Sequence, residues 1–135
     1  MVIDASVAFK LVVEEPDSGE AVAWLGRTEL VAPTLIHAEV GNALWKQVLR
    51  KEIVADDELG ARLADLGSYI RTVDELPFVP RALELAIELR HPMYDCVYLA
   101  VAEAEEDRLL TADRHFVRAT EKTRYAARVV ALGND

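Results

Sequence analysis

Cys96 is the only cysteine in 135 residues, so no intrachain disulfide can form and a reducing compartment is expected. No apolar run reaches the roughly 18 to 20 residues that a membrane span needs. No basic n-region precedes Asp4, so no secretory leader is expected and the expected location is cytoplasmic. The three histidines, His37, His91 and His115, do not make a zinc pattern, because His37-Ala38-Glu39 lacks the spacing of a helical two-histidine pair. Bases are scarce: 15 Lys and Arg against 24 Asp and Glu give a formal charge of −9, which argues against holding nucleic acid by charge alone. Repeats, low-complexity tracts and interdomain linkers are also missing. The length suits a single domain over residues 1–135 with a real core.

The remaining composition, 52% hydrophobic and 29% charged, is that of an ordinary soluble globular protein. The charges are spread unevenly. From Glu52 to Asp107 there are 14 acids and 4 bases, whereas from Asp113 onward there are 3 acids and 5 bases. A second basic group, Lys46, Arg50 and Lys51, ends a helical pattern. Basic edges on an acidic body suit a phosphate-bearing substrate, particularly if divalent cations neutralise the acids; solvated helix faces are the plainer account of any single base.

The stretch Val2-Ile3-Asp4-Ala5-Ser6 reads as a short buried strand ending in a carboxylate, followed by a helix to about Val13 that Ser6 caps. Ser18 is expected to cap a helix ending at Gly26. Leu30-Val31-Ala32 reads as a strand closed by Pro33. Thr34 then caps a long helix to about Lys51, with Leu35, Ala38, Leu44, Trp45, Val48 and Leu49 as its apolar set. Ala55-Asp56-Asp57 opens another amphipathic helix carrying Leu59, Leu63, Leu66 and Ile70, and the two suggest a helical hairpin. Thr72 to Leu76 reads as a short strand, Pro80 starts a helix to Arg90, and His91-Pro92 breaks it. Cys96 to Ala102 is too rich in alanine for a strand and is expected to be a buried helix. Arg108 to Thr111 and Val129 to Leu132 are strands, with a short helix around Phe116 between them. Strands alternating with helices predict an α/β domain with a central parallel sheet.

Asp4 and Asp113 fall at or just after the carboxyl ends of strands, Glu39 lies in the first turns of the helix after the second strand, and Asp95 opens the buried helix. Helices that follow strands begin on the sheet edge where those strands finish, and ligands of open α/β sheets bind there. The four acids can therefore gather at one rim. Asn42 lies three residues after Glu39 on the same helical face, and Ser6 and Thr111 add hydroxyls. Clustered carboxylates repel one another, which raises their pKa values. A hard divalent cation, Mg²⁺ or Mn²⁺, resolves the repulsion. It also suits phosphodiester hydrolysis by an activated water. Singly, each acid has a structural alternative: Asp4 and Asp95 as helix caps, Glu39 as a solvated helix residue, Asp113 as a turn residue in Thr111-Ala112-Asp113-Arg114.

Val2-Ile3-Asp4-Ala5-Ser6, Ala38-Glu39-Val40-Gly41-Asn42, Tyr94-Asp95-Cys96-Val97-Tyr98-Leu99-Ala100 and Leu110-Thr111-Ala112-Asp113-Arg114-His115-Phe116, in that order, resemble the PIN-domain nucleases, and in particular the VapC-type toxins of VapBC toxin–antitoxin pairs. The resemblance implies a three-layer α/β/α domain with a mainly parallel sheet and a helical hairpin, and a Mg²⁺- or Mn²⁺-dependent endoribonuclease. Asp4, Glu39, Asp95 and Asp113 match the family's acidic quartet. Asp4 and Asp95 are then the direct metal ligands, Glu39 and Asp113 act directly or through water, and Asn42 and Thr111 support them. A homodimer and a VapB-type antitoxin covering the active-site groove are implied as well. Some relatives carry a further acid shortly after the last Asp; here Arg114-His115-Phe116-Val117 follow, so a second metal site would need substrate to complete it.

Arg114, Arg118, Lys46 and Arg50 are the expected guides for RNA backbone. Trp24 is expected in the core; Trp45 and Tyr69 are either core or partner surface. Cys96 packs as a small apolar residue, His91 reads as a loop residue, and His115, beside Asp113, is within reach of a phosphate contact but is not expected to make one. Two other functions fit the same acids: a catalytically silent PIN-like interaction module, and an aspartyl-phosphate phosphatase. The second lacks the usual acid two residues after its nucleophile, where this chain has Ser6.

Overall fold

Val2 and Ile3 form the central strand, β1, in a computed structural model that describes residues 1–134; Asp135 lies outside the described residues. The chain continues through α1 (Ala5–Val12), α2 (Ser18–Leu25), β2 (Val31–Pro33), α3 (Leu35–Leu49), α4 (Leu59–Tyr69) and β3 (Arg71–Val73). It then follows α5 (Val79–Leu89), α6 (Met93–Ala104), β4 (Leu109–Thr111), α7 (Arg114–Thr120) and β5 (Val129–Ala131). The strands run parallel in the order β3-β2-β1-β4-β5. Helices cover the sheet to give the α/β/α arrangement, with α6 packed across β1, β2 and β4 and α1 against α2, α3 and α4.

Because β1, β2 and β4 are covered on both faces, Val2, Ile3, Val31, Ala32, Leu109 and Leu110 are buried continuously and do not alternate. Each such aliphatic side chain contributes about 1.5–3 kcal/mol by leaving water. The Cys96–Ala102 run is buried throughout, since α6 lies between the sheet and α5. Leu99, Ala100 and Ala102 favour the helix, and burial against the sheet and α5 outweighs the weaker helical preference of Val97 and Val101.

The path from β1 leads to β2 and β3 on one side, then returns across the sheet to β4 and β5 on the other. Connections leaving β1 and β4 therefore diverge, and a crevice opens between the carboxyl ends of these two strands.

Several local expectations are corrected. Asp4, not Ser6, is the N-cap of α1, with its carboxylate accepting the Val7 N–H. Ser18 lies one residue inside α2, and its hydroxyl accepts from Glu15 N–H and donates to Val13 O. Gly26 keeps φ −85°, so no left-handed turn ends α2. Thr34 adopts helical backbone angles and makes no side-chain cap; its hydroxyl donates to Glu75 at 2.5 Å. In α3 the buried residues are Ile36, Val40 and Leu44, while Ala38, Trp45 and Leu49 are exposed. The helix faces α1 and α4, so its buried stripe is rotated from the expected one. The helix placed at Ala55 begins at Leu59, and β3 stops at Val73 because Asp74 and Glu75 are already in the next turn. Trp24 is buried and Tyr69 exposed. Among the described residues, no helix is long and apolar enough to cross a membrane.

Candidate functional site

The crevice beside β1 widens into a cleft of about 460 Å³ whose lining includes Asp4, Glu39, Asp95 and Asp113. Each acid reaches it from a different element. Asp4 follows β1 and caps α1; Asp113 follows β4 and caps α7; Glu39 sits in the second turn of α3; Asp95 sits in the first turn of α6. Asp4 and Asp113 are helix caps and line the cleft as well. An N-cap carboxylate necessarily lies where a strand ends and a helix starts, which is the rim that binds ligands.

Asp4 is the most enclosed, at 4% exposure. Its Oδ1 accepts from Ser6 Oγ at 2.5 Å and Val7 N–H at 3.2 Å, and its Oδ2 accepts from Thr111 Oγ1. The hydroxyls are held in turn: Ala112 N–H donates to Ser6 Oγ at 2.8 Å, and Asp113 N–H to Thr111 Oγ1 at 3.0 Å. These bonds stitch the ends of β1 and β4 together. Burial nevertheless pushes the Asp4 carboxyl up to about 6; the hydroxyls and the Val7 N–H oppose the rise, and Asp95 adds to it.

Glu39 and Asp95 are raised as well, each chiefly by burial. Asp95 repels Glu39, Asp113 repels Asp95, and the His91 imidazole beside Asp95 works in the opposite direction. Tyr98, three residues after Asp95, stands near enough to Glu39 for its hydroxyl dipole to oppose that acid's rise. Neither Glu39 Oε1 nor the Tyr98 hydroxyl has a partner in hydrogen-bonding geometry, and both are buried. The Tyr98 hydroxyl is driven far above its ordinary value by burial and by Glu39. A buried unpartnered carboxylate oxygen is costly unless something not yet present satisfies it.

The donor set offered to the cleft is all oxygen, the chemistry of Mg²⁺ or Mn²⁺ and not of zinc. Among the described residues, no group of three or more His, Cys, Asp or Glu side chains stands close enough together to hold a metal ion. The four acids line one cleft without closing on a common point.

Ser6, Asn42, Lys46 and Arg50 also line the cleft. Thr111 is fully buried beneath it, acting through Asp4 and Asp113. Arg114 and Arg118 are exposed on α7 and lie outside this lining; Arg114 borders a separate small depression with Asp17 and Leu132. His115 meets Asp113 through its backbone N–H, at 2.8 Å. Cys96 is buried and its thiol is pushed up to about 12, chiefly by burial, so it packs as an inert apolar residue.

The residues not foreseen are Lys10, Glu15, Tyr98 and His91. Lys10 lines the cleft and is paired with Glu15 and Asp17 at 2.7 Å each, which raises its pKa although burial opposes them. The His91 ring bonds Asp95 at 2.6 Å. Spacings of three and four residues from Asp95 were the only sequence signals for Tyr98 and His91. An apolar groove of about 320 Å³ runs between α3 and α4, past Leu44, Trp45, Val48, Leu59 and Leu63.

The sequence model of the PIN domain family matches residues 1–122. Ribonuclease VapC1 of Mycobacterium tuberculosis is 39% identical over 90 residues, 65% of this chain and 65% of that protein, so the match spans just under two thirds of that relative. Ribonuclease VapC3 of Pyrobaculum aerophilum is 31% identical over 118 residues, covering 84% of this chain and 89% of VapC3. Ribonuclease VapC12 of Mycobacterium tuberculosis is 34% identical over 114 residues, covering 84% and 86%. The crystal structure of PAE2754 from Pyrobaculum aerophilum superposes with a TM-score of 0.70 at 27% identity, over 90% of this chain and 80% of that one.

Proposed function

This chain belongs to the PIN domain family, and from that premise we propose that it is a divalent-metal-dependent endoribonuclease, the toxin of a type II toxin–antitoxin pair. One observation carries the reading: four carboxylates from four separate elements line a single cleft at the switch point of a parallel sheet. The names of the VapC relatives support ribonuclease activity and a VapB-type partner. A homodimer, a cytoplasmic location and a single domain over the whole chain belong to the same reading.

Asp4 and Asp95 are the proposed direct ligands of Mg²⁺ or Mn²⁺, with Glu39 and Asp113 completing the set directly or through water. Bound there, the ion supplies a water activated for attack at neutral pH and positive charge to set against the leaving oxygen. The chain does the rest. Ser6, Thr111 and the Val7 N–H hold both Asp4 oxygens in one orientation, so little reorganisation remains when RNA arrives. Glu39 Oε1, unpartnered and buried, is an acceptor for an ion or its water. Lys46 and Arg50, on the α3 wall of the cleft, take phosphates flanking the scissile bond, and Asn42 offers an amide beside them. Arg114 and Arg118 serve RNA further from the cut. Exposed Trp45 and Leu49 beside the α3–α4 groove are the kind of surface that protein partners cover.

The test is cleavage of RNA by purified protein in Mg²⁺ or Mn²⁺. EDTA is expected to stop it, and Asp4→Asn or Asp95→Asn to abolish it. Cleavage that survives in both variants would reject the assignment.

A further inference from the structure

We infer that His91 is a positioning residue for Asp95: its ring fixes the rotamer of that carboxylate and so sets how tightly the site takes a divalent ion. The inference rests on the metal-site reading above. His91 Nε2 and Asp95 Oδ2 are 2.6 Å apart, with side-chain exposures of 12% and 26%, so the bond is largely shielded from water. With Asp95 ionised its oxygen can only accept, so Nε2 carries the proton and donates. Oδ2 is thereby held, and Oδ1 is the oxygen through which Asp95 ligates.

The ring is itself immobilised, as a positioning group must be. Arg90 ends α5 with φ 52°, the left-handed turn that reverses the chain. His91 N–H then bonds Ala86 O at 3.2 Å, and Pro92 follows with its φ fixed by its own ring. The imidazole packs on Phe116, with centroids 4.9 Å apart and planes tilted by 47°. Phe116 is fully buried in α7, the helix that Asp113 caps. His91 therefore touches α6 through Asp95 and α7 through Phe116, and keeps Asp95 in register with the helix that presents Asp113. A carboxylate beside like charges, free to rotate, would swing toward solvent; a donor on its outer oxygen prevents this.

The experiment titrates the full chain with Mn²⁺ and follows free ion by electron paramagnetic resonance, with circular dichroism melting to confirm folding. The side-chain amide of Gln reaches about where Nε2 lies, whereas that of Asn reaches about where Nδ1 lies. His91→Ala and His91→Asn are expected to weaken Mn²⁺ binding about 10- to 100-fold, and His91→Gln to stay within about threefold of the unsubstituted chain. In that unsubstituted chain, the His91 ring proton signals should broaden at lower Mn²⁺ than those of His37, a readout that needs no variant. Equal binding by His91→Ala, a Gln variant no better than the Asn variant, or simultaneous broadening of both histidines would each overturn the inference while leaving the metal site standing. No saturable Mn²⁺ binding, or binding indifferent to Asp95→Asn, would overturn the metal site and this inference together.

Discussion

Thr111 donates its hydroxyl to Asp4 across 107 positions of sequence, joining the ends of the two strands between which the cleft opens. The same oxygen accepts the Asp113 N–H. One buried hydroxyl thus sets the spacing of two acids, and the pair is as much a structural clamp as a part of the site.

Thr111→Val removes that clamp while keeping the side-chain shape. A hydrogen bond to an ionised group contributes about 1.5–3 kcal/mol, so a loss of that order is expected in urea denaturation at pH 7.5. RNA cleavage should fall more steeply than stability does, because Asp4 and Asp113 lose their common anchor. Unchanged cleavage at reduced stability would mean that the hydroxyl serves the fold alone.

Asp4 makes the metal-free protein sensitive to pH in the reverse of the usual carboxylate sense. Its folded pKa, about 6, lies above the ordinary 3.8, so between these values the folded state keeps a proton that the unfolded state has released. Stability falls as pH rises through the window, by about 3 kcal/mol in all. Glu39 and Asp95, also raised, add to the fall. In EDTA, the stability of Asp4→Asn relative to the unsubstituted chain should therefore rise by up to about 3 kcal/mol from pH 4 to pH 7.5, whatever constant cost the amide carries in lost acceptor bonds, while the variant cleaves no RNA. A stability difference between the two chains that stays constant from pH 4 to pH 7.5, read by urea denaturation, would show that folding does not raise the Asp4 pKa.

The Tyr98 hydroxyl is buried with no hydrogen-bond partner. Tyr98→Phe deletes a buried hydroxyl whose one return is its dipole on Glu39, so metal-free stability should change by no more than about 1 kcal/mol. Glu39 loses the dipole that favours its carboxylate, so the acid limb of the pH–activity profile should move upward. A stability loss above about 1 kcal/mol, read by thermal melting, would mean that the hydroxyl is bonded in solution.

Lys46 and Arg50 line the cleft, whereas Arg114 and Arg118 do not. Neutralising Lys46 and Arg50 together, in an Asp4→Asn background to prevent cleavage, should reduce the slope of log affinity against log salt for single-stranded RNA by about 1.4. The Arg114 and Arg118 pair should reduce it less. Equal slopes in all three proteins would remove both pairs from the RNA path.

The order of elements and the positions of the four acids were legible in the sequence because both are local: strand ends, helix starts and caps follow from the nearest few residues. Asp4, Glu39, Asp95 and Asp113 each carried that signal, and the parallel sheet followed from alternation of strands and helices. Tertiary structure decided what depends on neighbours distant in sequence. The strand order β3-β2-β1-β4-β5 puts Thr111 against Asp4, and the packing of α3 on α1 and α4 leaves Trp45 in solvent. The raised pKa values needed it too, since burial is the largest cause for Asp4, Glu39 and Asp95. Sequence shows which side chains can ionise; the low-dielectric surroundings that make ionisation costly exist only once the helices close over the sheet.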